Sequence, residues 1–474
     1  MISFIKKIKR SSTLNFQALS QKIFAVIEKN HIKDLQSLKN FLKIPSISTD
    51  PQYRYAIDEA AYFLKEYFEE LEFDAEILPT KGHPVVYARL GQDPNKPTVL
   101  CYGHYDVQPA DPLSLWISDP FDPQIRDGYL YARGASDDKG QIFCHLHAVK
   151  TLLTISKELP VNLIFLIEGE EEIGSPHLKE FLKEHQEKLS AQYLLVSDTP
   201  MYAPKMPSLC YGLRGLLYVE LQVRSTAIDL HSGQQGGIVQ NPILGLAYIL
   251  SQLKNKDHEI QIPGFYRDVR PLSSEEKRMI DGIPFDDQEY SRLLGAKKLV
   301  GEKQYSANMR RWFRPTLDCN GIISGYTGPG SKTIIPAMAT AKLSMRLIPY
   351  QDPMVIFNAL QDYLFKICPE GLDISLSLHT ASKPLLISRD SKGIKAAEKA
   401  LKMVFGINPI LQGEGGSIPI LNTFKSILGL DPILMGFNLP DDAIHAPNER
   451  FGIQQYRDGI HSTALFFHYI GLDL

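Results

Sequence analysis

The chain contains 474 residues, 44% of them hydrophobic and 22% charged, with a formal net charge of −3. This length favours two domains over a single core, and the composition is that of a globular enzyme. The charge balance and the lack of a basic stripe argue against nucleic acid as a partner. No apolar run has signal-peptide or transmembrane length, so no membrane role is expected.

The cysteines are few, scattered and odd in number, and none forms a CxxC pair. This pattern is typical of reduced thiols rather than of a disulfide framework or a thiolate zinc site. We therefore expect a cytoplasmic protein. The five residues are Cys101, Cys144, Cys210, Cys319 and Cys368.

The first half of the chain alternates predicted helices and strands. Apolar residues at helical spacing predict helices at 20–45, 55–72 and 139–154. Four nearly continuous apolar runs predict buried strands, and together with the helices they indicate a parallel-type α/β sheet. These strands are VVYARL (85–90), TVLCYGHYDV (98–107), NLIFLIEG (162–169) and YLLVSD (193–198).

The pattern changes near Arg214. Two segments alternate apolar and polar residues, which predicts half-exposed antiparallel strands, and two helices complete an α+β module. Residues 255–315 are polar and rich in proline and charge, so we predict a long insertion there. The predicted elements are strands at 216–225 and 340–349, and helices that begin near Asn241-Pro242 and near Pro353.

The α/β pattern returns after His379, with a helix at 391–405, a strand at 433–437 and a terminal helix. The simplest account is a catalytic α/β domain that is split by an inserted α+β lid. The predicted boundaries are 1–212 for the first part of the catalytic domain, 213–385 for the lid and 386–474 for the second part.

Three of the four predicted strands end in polar clusters. They are GHYD (103–106), EGEEE (168–172) and the pair that ends at Asp198. Because ligands gather at the carboxyl ends of parallel strands, these clusters are expected to form a site. His104 and Asp106 share a face of the strand end, which lets the acid accept the second ring N–H of the histidine.

Two further polar segments join these clusters: RGASDDKG (133–140), just before a predicted helix, and DAIHAPNE (442–449). A set of two histidines and three carboxylates suits a pair of divalent cations, and one additional acid is needed as a general base. Each piece alone has a structural alternative. The HxD pair, the EGEEE run and the Asp137-Asp138 pair could be a structural strand end, a solvated charge run and a helix cap.

The whole series of motifs resembles the co-catalytic zinc metallopeptidases of family twenty. Relatives in that family include aminoacylases, glutamate carboxypeptidases and succinyl-diaminopimelate desuccinylases, and the most similar branch is that of carnosinase and cytosolic non-specific dipeptidase. The resemblance implies a phosphorylase/hydrolase-like catalytic domain, with a central mixed sheet flanked by helices and an inserted α+β lid through which two subunits dimerise. The motifs are GHYDVQP, ARGASDDKG, EGEEEIGS, LHSGQQGG, LIPYQDP, GEGGSIP and DAIHAPNE.

The resemblance also implies a role for each polar residue. Glu171 is the general base, Asp106 orients His104, and Asp137 bridges two metal ions. The ions are expected to be zinc, with manganese or cobalt as alternatives, and to share a hydroxide that attacks the substrate. One metal takes His104 and Asp198, and the other takes Glu172 and His445.

Substrate contacts follow from the same resemblance. Arg346 is expected to bind the substrate carboxylate, Glu414 its ammonium group, and His231 the oxyanion of the transition state, in its own or the partner subunit. Asp198 favours peptides with a free amino end, so we predict a dipeptidase. An N-acyl amino acid deacylase or desuccinylase, and a non-catalytic binding protein, are the alternatives. Weaker candidates for substrate contact are Ser417, His379 and Thr333.

Overall fold

A computed structural model of the protein describes residues 2–416 and 418–472, with side chains from residue 16 onward. The chain folds into two compact units. The first unit contains Met1–Tyr211, Ile387–Gln412 and Thr423–Leu474. The second unit contains Gly212–Leu386 and Gly413–Asn422.

The described residues form thirteen α-helices and eighteen β-strands. The helices are α1 (Ile2–Leu42), α2 (Arg54–Glu70), α3 (Lys139–Ile155), α4 (Leu178–Glu184), α5 (Ser232–Gln235), α6 (Pro242–Gln252), α7 (Ser274–Asp281), α8 (Asp287–Leu293), α9 (Ala307–Phe313), α10 (Pro353–Ile367), α11 (Lys392–Phe405), α12 (Ile420–Leu428) and α13 (Ile453–Gly471). The strands are β1 (Asp74–Leu78), β2 (Val85–Leu90), β3 (Thr98–His104), β4 (Gln124–Arg126), β5 (Tyr129–Tyr131), β6 (Asn162–Glu168), β7 (Tyr193–Val196), β8 (Ser208–Leu213), β9 (Gly215–Arg224), β10 (Leu230–His231), β11 (Thr316–Ser324), β12 (Ile334–Ile335), β13 (Met338–Leu347), β14 (Asp373–Ser382), β15 (Leu385–Leu386), β16 (Ile410–Glu414), β17 (Pro432–Leu434) and β18 (Arg450–Gly452).

The first unit is built around a mixed sheet. Its strands run in the order β1, β2, β6, β3, β7, β17 and β8. The central pairs β6–β3, β3–β7 and β7–β17 are parallel, whereas β1–β2 and β2–β6 are antiparallel. Helix α3 packs against α1 and α13, and α13 also packs against α11. The predicted α/β class with a central mixed sheet is therefore confirmed.

The central strands β3 and β6 are buried along their whole length, which explains their continuous apolar sequences. Strand β3 ends at His104, three residues earlier than predicted. The chain leaves the sheet there because the backbone N–H of Val107 donates instead to the carbonyl of Ser46, at 2.9 Å. This departure places the side chains that follow His104 at the carboxyl edge of the sheet.

The second unit contains a four-stranded antiparallel sheet in the order β11, β13, β9 and β14. Alternate residues of β9 are buried, as the sequence pattern predicts, and helices α6 and α10 pack on this sheet. Asn241 and Asp352 accept hydrogen bonds from the first turns of these helices through their side chains, and proline occupies the first helical position in both.

Two features of the second unit go beyond the sequence pattern. Residues 255–315, the predicted long insertion, form α7, α8 and α9 and place Ile260 and Phe265 in the hydrophobic core of the unit. Residues 413–422 belong to this unit rather than to the closing part of the catalytic domain. Arg214 holds them there, because its Nε donates to the carbonyl of Gly415 at 3.0 Å.

No helix within residues 2–416 and 418–472 is long and apolar enough to cross a membrane. The five cysteines carry free thiols, and Cys101, Cys144 and Cys210 are buried. Burial raises the pKa of the Cys144 thiol well above its usual value, so that thiol stays protonated and unreactive.

Candidate metal centre

Three acidic or imidazole side chains meet at the end of β3. His104 ends that strand, Asp198 follows β7, and Asp137 lies in the loop before α3. The Nε2 atom of His104 is 3.0 Å from Oδ1 of Asp137, and the His104 side chain is buried. Each residue offers one ligand atom, and these atoms all lie within 4.8 Å of one another.

A second group shares Asp137. The Nε2 atom of His445 is 2.9 Å from Oδ2 of Asp137 and 3.3 Å from Oε2 of Glu172. Ligand atoms of these three residues also lie within 4.8 Å of one another. Asp137 therefore presents one carboxylate oxygen to each histidine, which is the arrangement that a bridging ligand between two cations requires.

The charges of this cluster show that it suits cations. Burial and the nearby Asp137 raise the pKa of Asp198 to about 7. Hydrogen bonds to Asp137 and Glu172 raise the pKa of His445 to about 10. Without a cation, the cluster needs protons to offset its crowded carboxylates, and divalent ions can replace them. Imidazole and carboxylate donors suit zinc, manganese or cobalt, so the residues fit two such ions.

The second ring nitrogen of His104 faces Asp106. Its Nδ1 atom lies 3.1 Å from the backbone carbonyl oxygen of Asp106 and 3.5 Å from the carboxylate Oδ1. The shorter contact fixes the tautomer, with Nδ1–H donating to the carbonyl and Nε2 left to bind a ligand. Although burial opposes protonation, hydrogen bonds to Asp106 and Asp137 hold the pKa of His104 well above its usual value.

The carboxylate of Asp106 has a further partner, the acidic turn after β6. Its Oδ1 accepts from the backbone N–H of Glu171 at 3.2 Å, and its Oδ2 accepts from that of Glu172 at 3.1 Å. This turn is a short 3-10 helix, Glu171–Ile173. Gln108 then donates from Nε2 to Oε2 of Glu172 at 2.9 Å. Asp106 and Gln108 together position the acidic turn, and Gln108 had no sequence signal beyond its place in the GHYDVQP motif.

Glu171 lies next to the two ligand groups but belongs to neither. Burial raises the pKa of Glu171 well above its usual value. The nearby carboxylates of Asp198 and Glu172 raise this pKa further, whereas His104 lowers it. A carboxyl group with a raised pKa beside a cation site is suited to accept a proton and pass it on.

Glu449 organises the loop that carries Asp137, a role that sequence reasoning missed. Its Oε1 accepts from the backbone N–H of Ser136 at 2.8 Å and of Asp137 at 3.1 Å. Its Oε2 accepts from the N–H of Gly134 at 2.9 Å and from Nη1 of Arg133 at 2.8 Å. The only available signal was its position at the end of the DAIHAPNE motif.

The helix-cap alternative for the Asp137-Asp138 pair is wrong. Asp138 occupies the N-cap position of α3, but its side chain makes no capping hydrogen bond. Its Oδ2 instead accepts from the backbone N–H of His104 at 3.3 Å. Burial raises the pKa of Asp138 well above its usual value. Asp138 thus contacts the strand end rather than the helix.

Two histidines of α3 are structural. His145 contacts Thr463 through Nδ1 at 3.2 Å and Ser197 through Nε2 at 2.9 Å. His147 contacts the hydroxyl groups of Tyr67 and Tyr456. Both imidazoles are buried, and burial lowers the pKa of His145 to about 3. They are therefore neutral core residues.

In the second unit, His231 and Thr333 lie side by side. His231 pairs with Ile334 across β10 and β12, and the N–H of Ser232 donates to the Thr333 carbonyl at 3.0 Å. Nδ1 of His231 accepts from the N–H of Gly233 at 3.1 Å. Because Nδ1 is an acceptor, Nε2 carries the proton in the neutral ring, and His231 is exposed.

Arg346 and Arg214 both lie close enough to Glu414 to interact with its charge. Arg346 lies on β13 between Leu216 and Thr316 and is half-buried. Burial lowers the pKa of Arg346, and Glu414 opposes this effect. Burial and the charge of Arg346 lower the pKa of Arg214 to about 10. The structure therefore holds two guanidinium groups near one carboxylate.

Two further candidates for substrate contact are His379 and Ser417. His379 lies on β14, where its Nε2 is 4.0 Å from Glu220 and its ring meets the edge of Tyr218. Ser417 lies outside the described residues. No sequence signal had marked Arg214, although it precedes β9 in the same module.

The chain is similar to known peptidases over nearly its whole length. The profile of Peptidase family M20/M25/M40 matches residues 100–468. The Cys-Gly metallodipeptidase dug1 of Schizosaccharomyces pombe is 32% identical over 467 residues, which cover 94% of this chain and 97% of that protein.

Two solved structures are similar as well. The crystal structure of human carnosine dipeptidase 1 matches with a TM-score of 0.83 and 30% identity, covering 96% of this chain and 99% of that one. The M20 family metallo-carboxypeptidase Sso-CP2 of Sulfolobus solfataricus matches with a TM-score of 0.82 and 38% identity, covering 93% of this chain and 99% of that one.

Proposed function

The chain belongs to Peptidase family M20/M25/M40, and we propose that it is a metal-dependent dipeptidase. One observation carries the proposal: His104 and His445 direct their Nε2 atoms at different oxygens of one carboxylate, that of Asp137. Similarity to a Cys-Gly metallodipeptidase and to carnosine dipeptidase 1 supports dipeptides as the substrate class.

Two divalent metal ions would be held by five residues of the first unit. His104 and Asp198 suit one ion, Glu172 and His445 suit the other, and Asp137 suits both. The ions would polarise the scissile carbonyl group and make a water molecule acidic. We expect zinc, because imidazole-containing sites bind it more tightly than manganese or cobalt.

Glu171 is the group we assign to proton transfer. Its carboxylate would take a proton from the attacking water and pass it to the nitrogen atom of the leaving amine. One contact and one absence support this role: the Asp106 carboxylate accepts from the backbone N–H of Glu171, and neither ligand group among the described residues includes the Glu171 side chain. Asp106 therefore orients both His104 and the acidic turn through hydrogen bonds.

The second unit supplies groups that suit the two ends of a dipeptide. We assign Arg346 to the substrate carboxylate, because a guanidinium group can bind both carboxylate oxygens. We assign Glu414 to the substrate ammonium group. His231 would donate from Nε2 to the oxyanion of the transition state, in its own or the partner subunit. Thr333, His379 and Ser417 are assigned to the substrate's remaining polar atoms.

The dimer and the cellular location are also part of the proposal. Exposed apolar residues on the edge strand β11, Ile322 and Ile323, support dimerisation through the second unit, the predicted lid. The five free thiols support a reducing, cytoplasmic compartment.

A hydrolysis screen on protein of defined metal content tests the proposal. Metal-free protein is reloaded with zinc, manganese or cobalt and is given a dipeptide library, longer peptides, and N-acetyl and N-succinyl amino acids. We expect hydrolysis of free dipeptides, and none without metal. Activity confined to acylated amino acids would instead identify a deacylase, and activity confined to longer peptides would identify a carboxypeptidase.

A further inference from the structure

A cleft in the second unit carries more positive than negative side chains. Its volume is about 480 Å³, which lies within the roughly 300–1,000 Å³ of small-molecule sites. Four lysine or arginine side chains and two aspartates line it, so two positive charges are in excess. The charged lining residues are Lys256, Lys298, Lys303, Arg310, Asp281 and Asp287.

Most of these cations lack a carboxylate partner. Lys303 forms an ion pair with Asp257, with 2.7 Å between Nζ and Oδ1. Within the part of the chain that the structure describes, Lys256, Lys298 and Arg310 form no such ion pair. Cations gathered in one cleft repel each other, and an anion that binds between them relieves the repulsion.

Asn308 adds an independent indication of a ligand. It lines the cleft and is only 2% exposed. Its side-chain oxygen, Oδ1, is buried and has no hydrogen-bond partner among the described residues. A buried acceptor without a donor is costly, so unsatisfied groups of this kind mark places where a ligand or water donates. A fully deprotonated anion such as sulfate cannot serve Asn308, because a hydrogen-bond donor is required.

The cleft also has an apolar wall. Phe285 and Tyr305 present aromatic side chains, and Ile280, Ile283 and Leu299 add aliphatic surface. Such a wall covers the carbon skeleton of an organic ligand better than it covers an inorganic ion. The ligand should therefore combine negative charge, a hydrogen-bond donor and a carbon framework.

We propose that this cleft binds a small hydroxylated phosphate monoester, such as a sugar phosphate. A phosphate monoester carries about −1.5 to −2 charges at pH 7, so it is attracted to the three lining cations that have no ion pair among the described residues, Lys256, Lys298 and Arg310. The lysines act as point charges for its oxygens, the guanidinium group of Arg310 binds two of them, and a hydroxyl group donates to Oδ1 of Asn308. This inference does not depend on the peptidase activity.

Isothermal titration of the full-length protein tests the proposal, with ribose 5-phosphate as the probe and with ribose and sulfate as comparisons. We expect saturable binding of ribose 5-phosphate, and binding of each comparison compound at least about tenfold weaker, because each lacks one of the two recognised groups. Asn308→Ala should weaken the binding of ribose 5-phosphate but not that of sulfate, which has no hydrogen-bond donor.

Adjacent lysines provide a matched pair of variants. Lys298 lines the cleft, whereas Lys297 does not, and both are exposed, so neither variant should impair folding. Lys298→Glu should weaken ribose 5-phosphate binding by about tenfold or more, and Lys297→Glu by less than about twofold. Equal losses in the two variants, or equal affinity for ribose 5-phosphate and sulfate, would overturn the proposal. The absence of ribose 5-phosphate binding at millimolar concentration would also overturn the proposal.

Discussion

The carboxylate of Glu449 accepts a hydrogen bond from the backbone N–H of Asp137 at 3.1 Å, although 312 positions separate the two residues in sequence. The same carboxylate also accepts from Gly134, Ser136 and Arg133. Asp137 is the residue shared by both candidate ligand groups. The position of the central ligand is thus set by a buried acid from the far end of the chain.

Glu449→Gln should weaken metal binding. The amide nitrogen of glutamine is a donor, so it cannot accept from the N–H groups that one carboxylate oxygen now binds. We expect metal affinity to fall about 10- to 100-fold, as for other residues that support metal ligands. Titration with a competing chelator measures the affinity. An unchanged affinity, with the fold intact by circular dichroism, would show that the loop holds Asp137 without Glu449.

Asp137→Asn should have a larger effect, because it removes the charge and one of the two oxygens that the ligand groups share. We expect the loss of at least one bound metal ion per chain and a fall in dipeptidase activity beyond about 100-fold, the upper range for supporting residues. Elemental analysis measures the metal content. Asp122→Asn, at an exposed position in the same unit, is the control and should keep both metal and activity.

Glu171→Gln should separate metal binding from catalysis. The variant keeps the size of the side chain but cannot accept a proton from water, so we expect kcat to fall about 10²- to 10⁴-fold. Metal content should stay near that of the wild type, because Glu171 belongs to neither ligand group. Parallel measurement of kcat and bound metal tests this. Full activity of the variant would refute the assignment of Glu171 to proton transfer.

His145 should make the protein sensitive to acid. Its pKa is about 3 in the folded protein, against 6.5 for an exposed histidine. Between these values the unfolded chain binds more protons, so the free energy of unfolding falls as the pH drops from 6.5 towards 3. The slope from this one group is about 1.4 kcal/mol per pH unit.

His145→Gln removes this proton uptake and keeps a polar group for Ser197 or Thr463. Urea unfolding at pH 7.0, 6.0 and 5.0 should therefore show a smaller loss of stability in the variant than in the wild type. Parallel pH profiles for the two proteins would mean that His145 is not the group responsible.

Ile323→Lys should disrupt the proposed dimer. Ile323 is 73% exposed on β11, the edge strand of the second unit's four-stranded sheet. A lysine there introduces a charge that repels its symmetry mate and is costly to bury. Light scattering coupled to gel filtration should show a dimer for the wild type and a monomer for the variant. Leu293→Lys, at a position 75% exposed on α8, is the control and should remain dimeric. A monomeric wild type would contradict the proposal.

Much of the fold follows from local patterns. The continuous apolar runs of β2 and β6, the alternation in β9, and the Asn241-Pro242 start of α6 all occur where the sequence predicts them. Local patterns are reliable here because burial on one or both faces of an element imposes its own period on the residues. The three helices within residues 255–315 were not predicted, because the polar, proline-rich sequence hides the few apolar residues, such as Phe265, that enter the core.

The sequence by itself determined which residues carry the chemistry, because histidines and carboxylates in excess at strand ends are costly unless they bind something. Only the tertiary structure decided how these residues work together. It brought His445 to Asp137. It also placed the Asp106 carboxylate against the backbone N–H groups of Glu171 and Glu172, and the backbone carbonyl of Asp106 against His104. It also revealed Glu449 and Asn308. The reason is physical: a hydrogen bond between distant residues depends on the packing of whole elements, which no local pattern records.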